Sequence, residues 1–288
     1  MKIQTKAVFD GKTWIEAAGQ VLQMEERFHE TPALELFLKR VDYAAMSVAY
    51  GLRAEGIWLF GAAGAGKSTA MKEACRRLST KPELCSRRSA LLIALLPGPT
   101  MHSMVGQLLL ALDYPISSSR TFVERVDVLF EAIRSNHVRV IFIDEIQHVC
   151  EGNRMAHLRE IRDFLKRLVD ETNVCLILAG IESAKPLQKS DEQLASRISG
   201  ELTLRFDFKT NDTKAFGRKV LEGSPIPFTA NAVEAVLEFL AKRDTASPRL
   251  LVKIGREAVK IAALTKSATV EVVHVVHAVS LLFLGHAS

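Results

Sequence analysis

Apolar residues along this chain fall into two recurring patterns. Short unbroken runs alternate with stripes at helical spacing, and that alternation predicts an α/β fold before any motif is read. Trp14, Ile15, Ala18, Val21 and Leu22 recur at helical spacing, so part of an N-terminal extension over residues 1–30 reads as an amphipathic helix. A second helix starts after Thr31, a candidate N-cap. Pro32 suits the first helical position, and Leu34, Leu36, Phe37 and Val41 carry the stripe toward Tyr50. Ile57-Trp58-Leu59-Phe60 is a short apolar run that reads as a buried strand, and residues 69–75 read as the helix after it.

The alternation then continues. Residues 89–96 read as a strand, and 101–112 as a helix ended near Asp113-Tyr114-Pro115. Residues 121–135 form a helix with Phe122, Val126, Leu129, Phe130 and Ile133 on one face. Strands are predicted at 138–143 and 174–179, with a long basic helix at 155–172 between them. Leu202, Leu204, Phe206 and Phe208 alternate with polar residues, which predicts a strand over 202–208. After Lys209 the patterns are helical only, at 212–221, 230–242, 248–265 and 270–284. The expected architecture is a parallel sheet with helices on both faces over residues 31–209, then a small helical domain over 210–288. No internal repeat is visible.

Composition narrows the class without choosing it. In 288 residues, 48% are hydrophobic and 25% charged, as in soluble globular proteins. No stretch reaches the roughly 20 uncharged apolar residues that span a bilayer. The nearest, residues 272–285, is short and holds His274 and His277. The first residues lack the apolar core of a signal peptide, so a cytoplasmic protein without membrane partners is expected. Cys75, Cys85, Cys150 and Cys175 have no C-x-x-C spacing, which argues against zinc or redox chemistry. A net charge of +5 permits nucleic-acid binding without requiring it.

Two motifs change the picture. Gly61-Ala62-Ala63-Gly64-Ala65-Gly66-Lys67-Ser68 fits G-x-x-x-x-G-K-[ST], between a predicted strand and a predicted helix opened by Thr69. Glycines let successive backbone N–H groups converge on phosphate oxygens, and the helix N-terminus adds partial positive charge. Lys67 is placed to reach the β- and γ-phosphates of ATP, and Ser68 to ligate Mg²⁺. The second motif is Val140-Ile141-Phe142-Ile143-Asp144-Glu145, an apolar strand ending in two carboxylates. Open α/β sheets bind ligands at the carboxyl ends of their strands. Asp144 is therefore placed to hold the Mg²⁺ shell, and Glu145 to orient or deprotonate a water.

Together these features make the chain a P-loop NTPase that resembles the AAA+ ATPases. Within them it is most similar to the TniB/TnsC group of transposition regulators, relatives of MuB-type proteins. Trp14-Ile15, His29-Glu30-Thr31-Pro32, Asp144-Glu145-Ile146-Gln147-His148, Ala179-Gly180-Ile181-Glu182-Ser183-Ala184 and Gln193-Leu194-Ala195-Ser196-Arg197-Ile198 carry that likeness. The resemblance implies that residues 210–288 are a helical lid. It implies that Arg197 enters a neighbouring subunit's site, with Arg205 as the rival, and that Arg249 is the sensor-2 arginine binding phosphate in its own subunit. At sensor 1 the family's threonine is replaced by Ile181, leaving Glu182 and Ser183 as polar neighbours.

What the resemblance implies for function is ATP-dependent regulation of DNA transposition. Copies of the chain would assemble as a ring or filament on duplex DNA, largely without sequence preference. They would recruit or activate a transposase, with a target-selector protein as a further candidate partner. A replication initiator or helicase loader shares every AAA+ feature but usually adds a winged-helix domain, for which 288 residues leave little room. A nucleotide-gated adaptor that does not hydrolyse ATP is the third reading, consistent with Ile181. Candidate DNA-facing cations are Arg154, His157, Arg159, Arg162, Lys166 and Arg167 on one helix, with Lys72, Arg76, Arg77, Arg87 and Arg88 elsewhere. Thr100, His102, Ser103 and Thr121 are polar candidates for the same role.

Overall fold

The computed structural model describes residues 29–283, apart from 54, 85–87, 116–119 and 152–154, together with Gly19. The helix expected around Trp14, and the candidate cations Arg87 and Arg154, lie outside the described residues. The chain divides into two compact units, one running from Pro32 to Arg205 and the other including everything from Phe206 onward.

The first unit is built on a five-stranded sheet of β1 (Ile57–Gly61), β2 (Ala90–Ala94), β3 (Val140–Asp144), β4 (Cys175–Gly180) and β5 (Gly200–Leu204). All its pairings are parallel, and the order is β2-β3-β4-β1-β5. β1, β3 and β4 are buried along their whole length, which is why they read as unbroken apolar runs. The edge strand β2 alternates between buried and partly exposed positions instead.

Helices cover both faces, as the alternating pattern predicts. α1 (Pro32–Ala49) and α2 (Lys67–Ser79) pack on β3 and β4, with Leu34, Phe37, Val41, Ala70 and Met71 buried. α3 (Met101–Ala111), α4 (Phe122–Ser135) and α5 (Met155–Thr172) share a core with Trp58, Phe60, Ile141, Ile143, Leu176 and Leu178. These strand residues are two apart, so the period of the pleat decides which core each side chain joins. Two short helices that the pattern does not announce, α6 (Lys185–Lys189) and α7 (Glu192–Arg197), lead into β5. The buried Trp58 indole N–H donates to the Ile198 carbonyl at 3.0 Å, which ties this segment to β1.

The strand predicted over 202–208 ends at Leu204. Phe208 lies in the core of the second unit and Phe206 packs against that core. Asp207 accepts a hydrogen bond from the Lys209 N–H at 3.0 Å and turns the chain between them. Alternation over-extends the strand here because two aromatic residues spaced by two fit a strand and a turn equally well.

The second unit packs α8 (Asn211–Glu222), α9 (Ala230–Ala241), α10 (Pro248–Leu264) and α11 (Val272–Phe283) around Phe208, Leu221, Leu237, Leu240, Leu251 and Ile254. Among the described residues, no helix is long and apolar enough to cross a membrane. Burial pushes the Cys75 and Cys175 thiols up to about 12, which leaves them inert as nucleophiles.

Candidate functional site

β1 runs directly into the glycine-rich loop. Gly64 and Gly66 have φ of 79° and 86°, left-handed values that residues with a Cβ rarely adopt. Gly66 is the N-cap of α2 and brings no side-chain acceptor to its first N–H groups. At six other helices this is different. Thr100, Thr121, Asp191, Thr210, Thr229 and Ser247 cap α3, α4, α7, α8, α9 and α10, each accepting a backbone hydrogen bond with its side chain. A helix N-terminus without a side-chain cap keeps donors available for an anion.

Lys67 is buried, and its ammonium donates to the Gly61 carbonyl at 2.8 Å and the Ala62 carbonyl at 3.1 Å. The loop thus closes around its own lysine, and Ala65 N–H donates back to the Ala62 carbonyl at 3.1 Å. Ala62 and Ala63 are exposed, Gly64 and Ser68 are half-buried, and Thr69 is exposed on the first turn of α2.

β4 lies between β1 and β3. Its register pairs Phe60 with Gly180 and Ile143 with Leu178, so Asp144 and the glycine-rich loop share one edge of the sheet. Strands two apart are about 10 Å apart, a span that phosphates and a metal can bridge. Asp144 is buried, and one of its carboxylate oxygens accepts the Glu145 backbone N–H at 2.9 Å. Glu145 itself has φ 57°. The other non-glycine residues with positive φ among those described, Asp113, His137, Asn173 and Lys266, all follow helix ends, where such values are ordinary. Glu145 follows a strand. A left-handed residue there costs about 1–3 kcal/mol, and such costs cluster at functional sites.

The Glu145 carboxylate accepts a hydrogen bond from the Gln147 amide, and the Gln147 oxygen accepts the Ile181 N–H at 3.4 Å. Gln147 stands in the segment 144–148 that carries the family likeness, but the sequence assigns it no role; in the turn Ile146–Val149 it is buried. Of the candidate sensor residues, Ile181 is half-buried at the end of β4, Ser183 is exposed, and Glu182 pairs with Lys185 at 3.0 Å.

Among the described residues, no group of three or more His, Cys, Asp or Glu side chains is arranged to hold a metal. Ser68 and Asp144 offer oxygens of the kind that hold Mg²⁺ together with substrate phosphates.

Arg197 lies at the other edge of the sheet. Its carbonyl accepts the Gly56 N–H at 2.9 Å, just before β1 begins. Its guanidinium forks onto Asp170 at 2.9 and 2.6 Å and donates to the Gln193 carbonyl at 2.6 Å. That fork holds the Asp170 carboxyl below the usual carboxylate range. Arg205 is exposed after β5. In the second unit, Arg249 is exposed in the first turn of α10, which starts at Pro248 after the Ser247 cap.

Much of the predicted basic face is neutralised within the chain. Arg162 pairs with Asp191 at 3.0 Å, Lys166 with Asp163 at 2.8 Å and Asp191 at 3.0 Å, and Arg167 with Glu171 at 2.8 Å. Arg76 and Arg77 both hold Glu73, whose carboxyl falls to about 2 under their hydrogen bonds and charge. Arg88 pairs with Asp113. Lys72 and Arg159 are exposed, and His157 is half-buried. Thr100 with Ser103 and Thr121 with Glu124 form capping boxes, while the His102 ring packs at a tilt against Phe122 with centroids 3.9 Å apart.

A family model described as bacterial TniB protein matches residues 21–206, well over half of the chain. No curated protein matches the chain in sequence. Among solved structures, the Aeropyrum pernix ORC2 protein in ADPNP-ADP complexes superposes with a TM-score of 0.71 at 15% identity, covering 92% of this chain and 73% of that one. The Aeropyrum pernix ORC1 protein in complex with DNA gives 0.67 at 17% identity, over 88% of this chain and 66% of that one. Drosophila ORC bound to DNA gives 0.67 at 16% identity, over 98% and 70%. This chain spans about two thirds of the length of that ORC1 protein. At such identities the likeness speaks for the fold, which is that of the AAA+ P-loop ATPases.

Proposed function

Because the chain belongs to the bacterial TniB family, we propose that it is an ATP-dependent regulator of DNA transposition. In this reading it binds and hydrolyses ATP, assembles with its own copies as a ring or filament on duplex DNA, and recruits or activates a transposase. The observation that carries the nucleotide part is the N-terminus of α2. It is left without a side-chain cap by a left-handed Gly66, with a buried Lys67 beside it, on the sheet edge that also holds Asp144.

The roles follow from charge and reach. Backbone N–H groups from Gly61 to Thr69 bind the phosphates. Lys67 exchanges its two carbonyl partners for β- and γ-phosphate oxygens, a charged acceptor in place of a dipole. Ser68 and Asp144 would hold Mg²⁺, which offsets phosphate charge when bound. Glu145 orients and deprotonates the attacking water. Arg197 acts on a neighbouring subunit's nucleotide, and Arg249 on its own.

Lys67→Ala is expected to weaken ATP binding by about ten- to a hundredfold, the value of a charge-assisted contact of 1.5–3 kcal/mol. Nucleotide-dependent assembly should disappear with it. Equilibrium binding of labelled ATP measures the first effect and sizing with ATP the second; parental affinity would remove Lys67 from the phosphate site.

Assembly on DNA tests the wider reading. Duplex binding should require ATP, show little sequence preference, and weaken with salt by about 0.9 in the slope of log K against log salt per phosphate neutralised. Cations already paired with Asp191, Glu171 or Glu73 gain less from DNA, so Lys72 and Arg159 are the better first choices for substitution. Binding that is equal with and without ATP, or insensitive to salt, would overturn the proposal.

A further inference from the structure

The buried amide of Gln147 joins two parts of the site that the roles above leave separate. Only 5% of this residue is exposed. Its Nε2 donates to Glu145 Oε2, and its Oε1 accepts the Ile181 N–H at 3.4 Å, at the end of β4. The amide has one workable orientation. Turned over, its oxygen would face a carboxylate and its NH₂ would face an N–H. β4 also comes close to this side chain. A Cβ on Gly180 would lie 2.9 Å from Gln147 Oε1 and 2.9 Å from Ile146 Cγ2. Glycine at that position leaves room for the amide.

We propose that Gln147 is a positioning residue for Glu145, transmitting the end of β4 to the water-handling carboxylate through its side-chain amide. The inference rests on the reading that Glu145 acts on water during ATP hydrolysis. A carboxylate at a half-buried position can rotate among several staggered states. With Oε2 held by the amide, rotation is restricted and Oε1 is left for the water. The bond is charge-assisted and partly buried, which makes it stronger than the same contact in water. It also accounts for Ile181. Here the end of β4 presents a backbone N–H, not a polar side chain, and Gln147 supplies the polar group that reaches the carboxylate.

The test uses the full chain, with single-turnover hydrolysis of radiolabelled ATP and equilibrium binding of labelled ATP. Gln147→Met keeps length and volume but removes the amide. It should slow hydrolysis by about ten- to a hundredfold with ATP affinity held within about twofold, the value of one hydrogen bond to a charged group. Gln147→Glu keeps the shape and sets a second carboxylate against Glu145; it should slow hydrolysis in the same way and serves if the methionine variant does not fold. In a Glu145→Gln background, Gln147→Met should cost little more, because the two residues act as one unit. A merely structural role would lower ATP affinity and would slow both backgrounds by the same factor. Parental hydrolysis by Gln147→Met, alongside a slow Glu145→Gln protein, would overturn this inference alone. A parent protein without turnover, or a Glu145→Gln protein as fast as its parent, would overturn the ATPase reading and this inference with it.

Discussion

Glu145→Gln is expected to lower ATP turnover by about a hundred- to ten-thousandfold, the usual contribution of a positioned general base. ATP affinity should change little, because the substitution leaves the glycine-rich loop and Lys67 untouched. The amide has the shape of the carboxylate, and its oxygen can still accept from Gln147 Nε2, so the local geometry is kept while the base is lost. The left-handed backbone at Glu145 does not depend on the charge, and glutamine tolerates it no worse. Assemblies on DNA should therefore form normally and persist, since the step that dismantles them is the slow one. The comparison is steady-state turnover in parent and variant, with and without duplex DNA. Equal rates would move the water-handling role to another residue, and exposed Ser183 beyond β4 would then be the place to look.

The parts of this site that a sequence reader can see are those set by local chain geometry. Gly64 and Gly66 are needed because the loop turns through positive φ, and that need fixes their spacing from Lys67 and Ser68. Asp144 and Glu145 are visible because carboxylates interrupt an apolar run only where a doubly buried strand reaches its end. Strand order is not local. Nothing near residue 147 announces that β4 lies between β1 and β3, so the contact between Gln147 and Ile181 appears only when the sheet is assembled.

Charge shows the same limit more sharply. Arg159, Arg162 and Lys166 fall at i, i+3 and i+7 of one helix, so on a helical wheel they share a cationic face. Lys166 finds Asp191 twenty-five residues away, and Arg162 pairs with the same carboxylate. The pairing arises because the loop before α7 folds back on α5, which no count of charges reveals. Arg197 is a further case. Its motif was legible, but its partner Asp170 was not.

That partner shapes the last expectation, which concerns Arg197→Ala. An arginine acting across an interface on a transferring phosphoryl group is worth about a thousandfold or more in turnover. Within its own subunit Arg197 sits at the amino end of β1 and β5, while Lys67 follows the carboxyl end of β1. The strand between them is about 16 Å long, beyond the reach of one side chain. Arg197 therefore serves a neighbour's nucleotide or only its own fold. The Asp170 fork is partly exposed and worth about 1 kcal/mol or less, so a γ-phosphate can outcompete it. Mixing Arg197→Ala with Lys67→Ala subunits separates the two roles. A Lys67-intact subunit can borrow an arginine from a Lys67→Ala neighbour, and random head-to-tail assembly creates such an interface about one time in four. Partial recovery of ATPase activity is expected, provided sizing shows mixed assemblies. Asp170→Asn completes the argument. It frees the guanidinium without removing it, so turnover should hold or rise while stability drops slightly. If Asp170→Asn loses turnover as fully as Arg197→Ala, and the mixture stays inactive, the fork itself is what matters. Arg205, exposed after β5, then becomes the arginine to test in the neighbouring site.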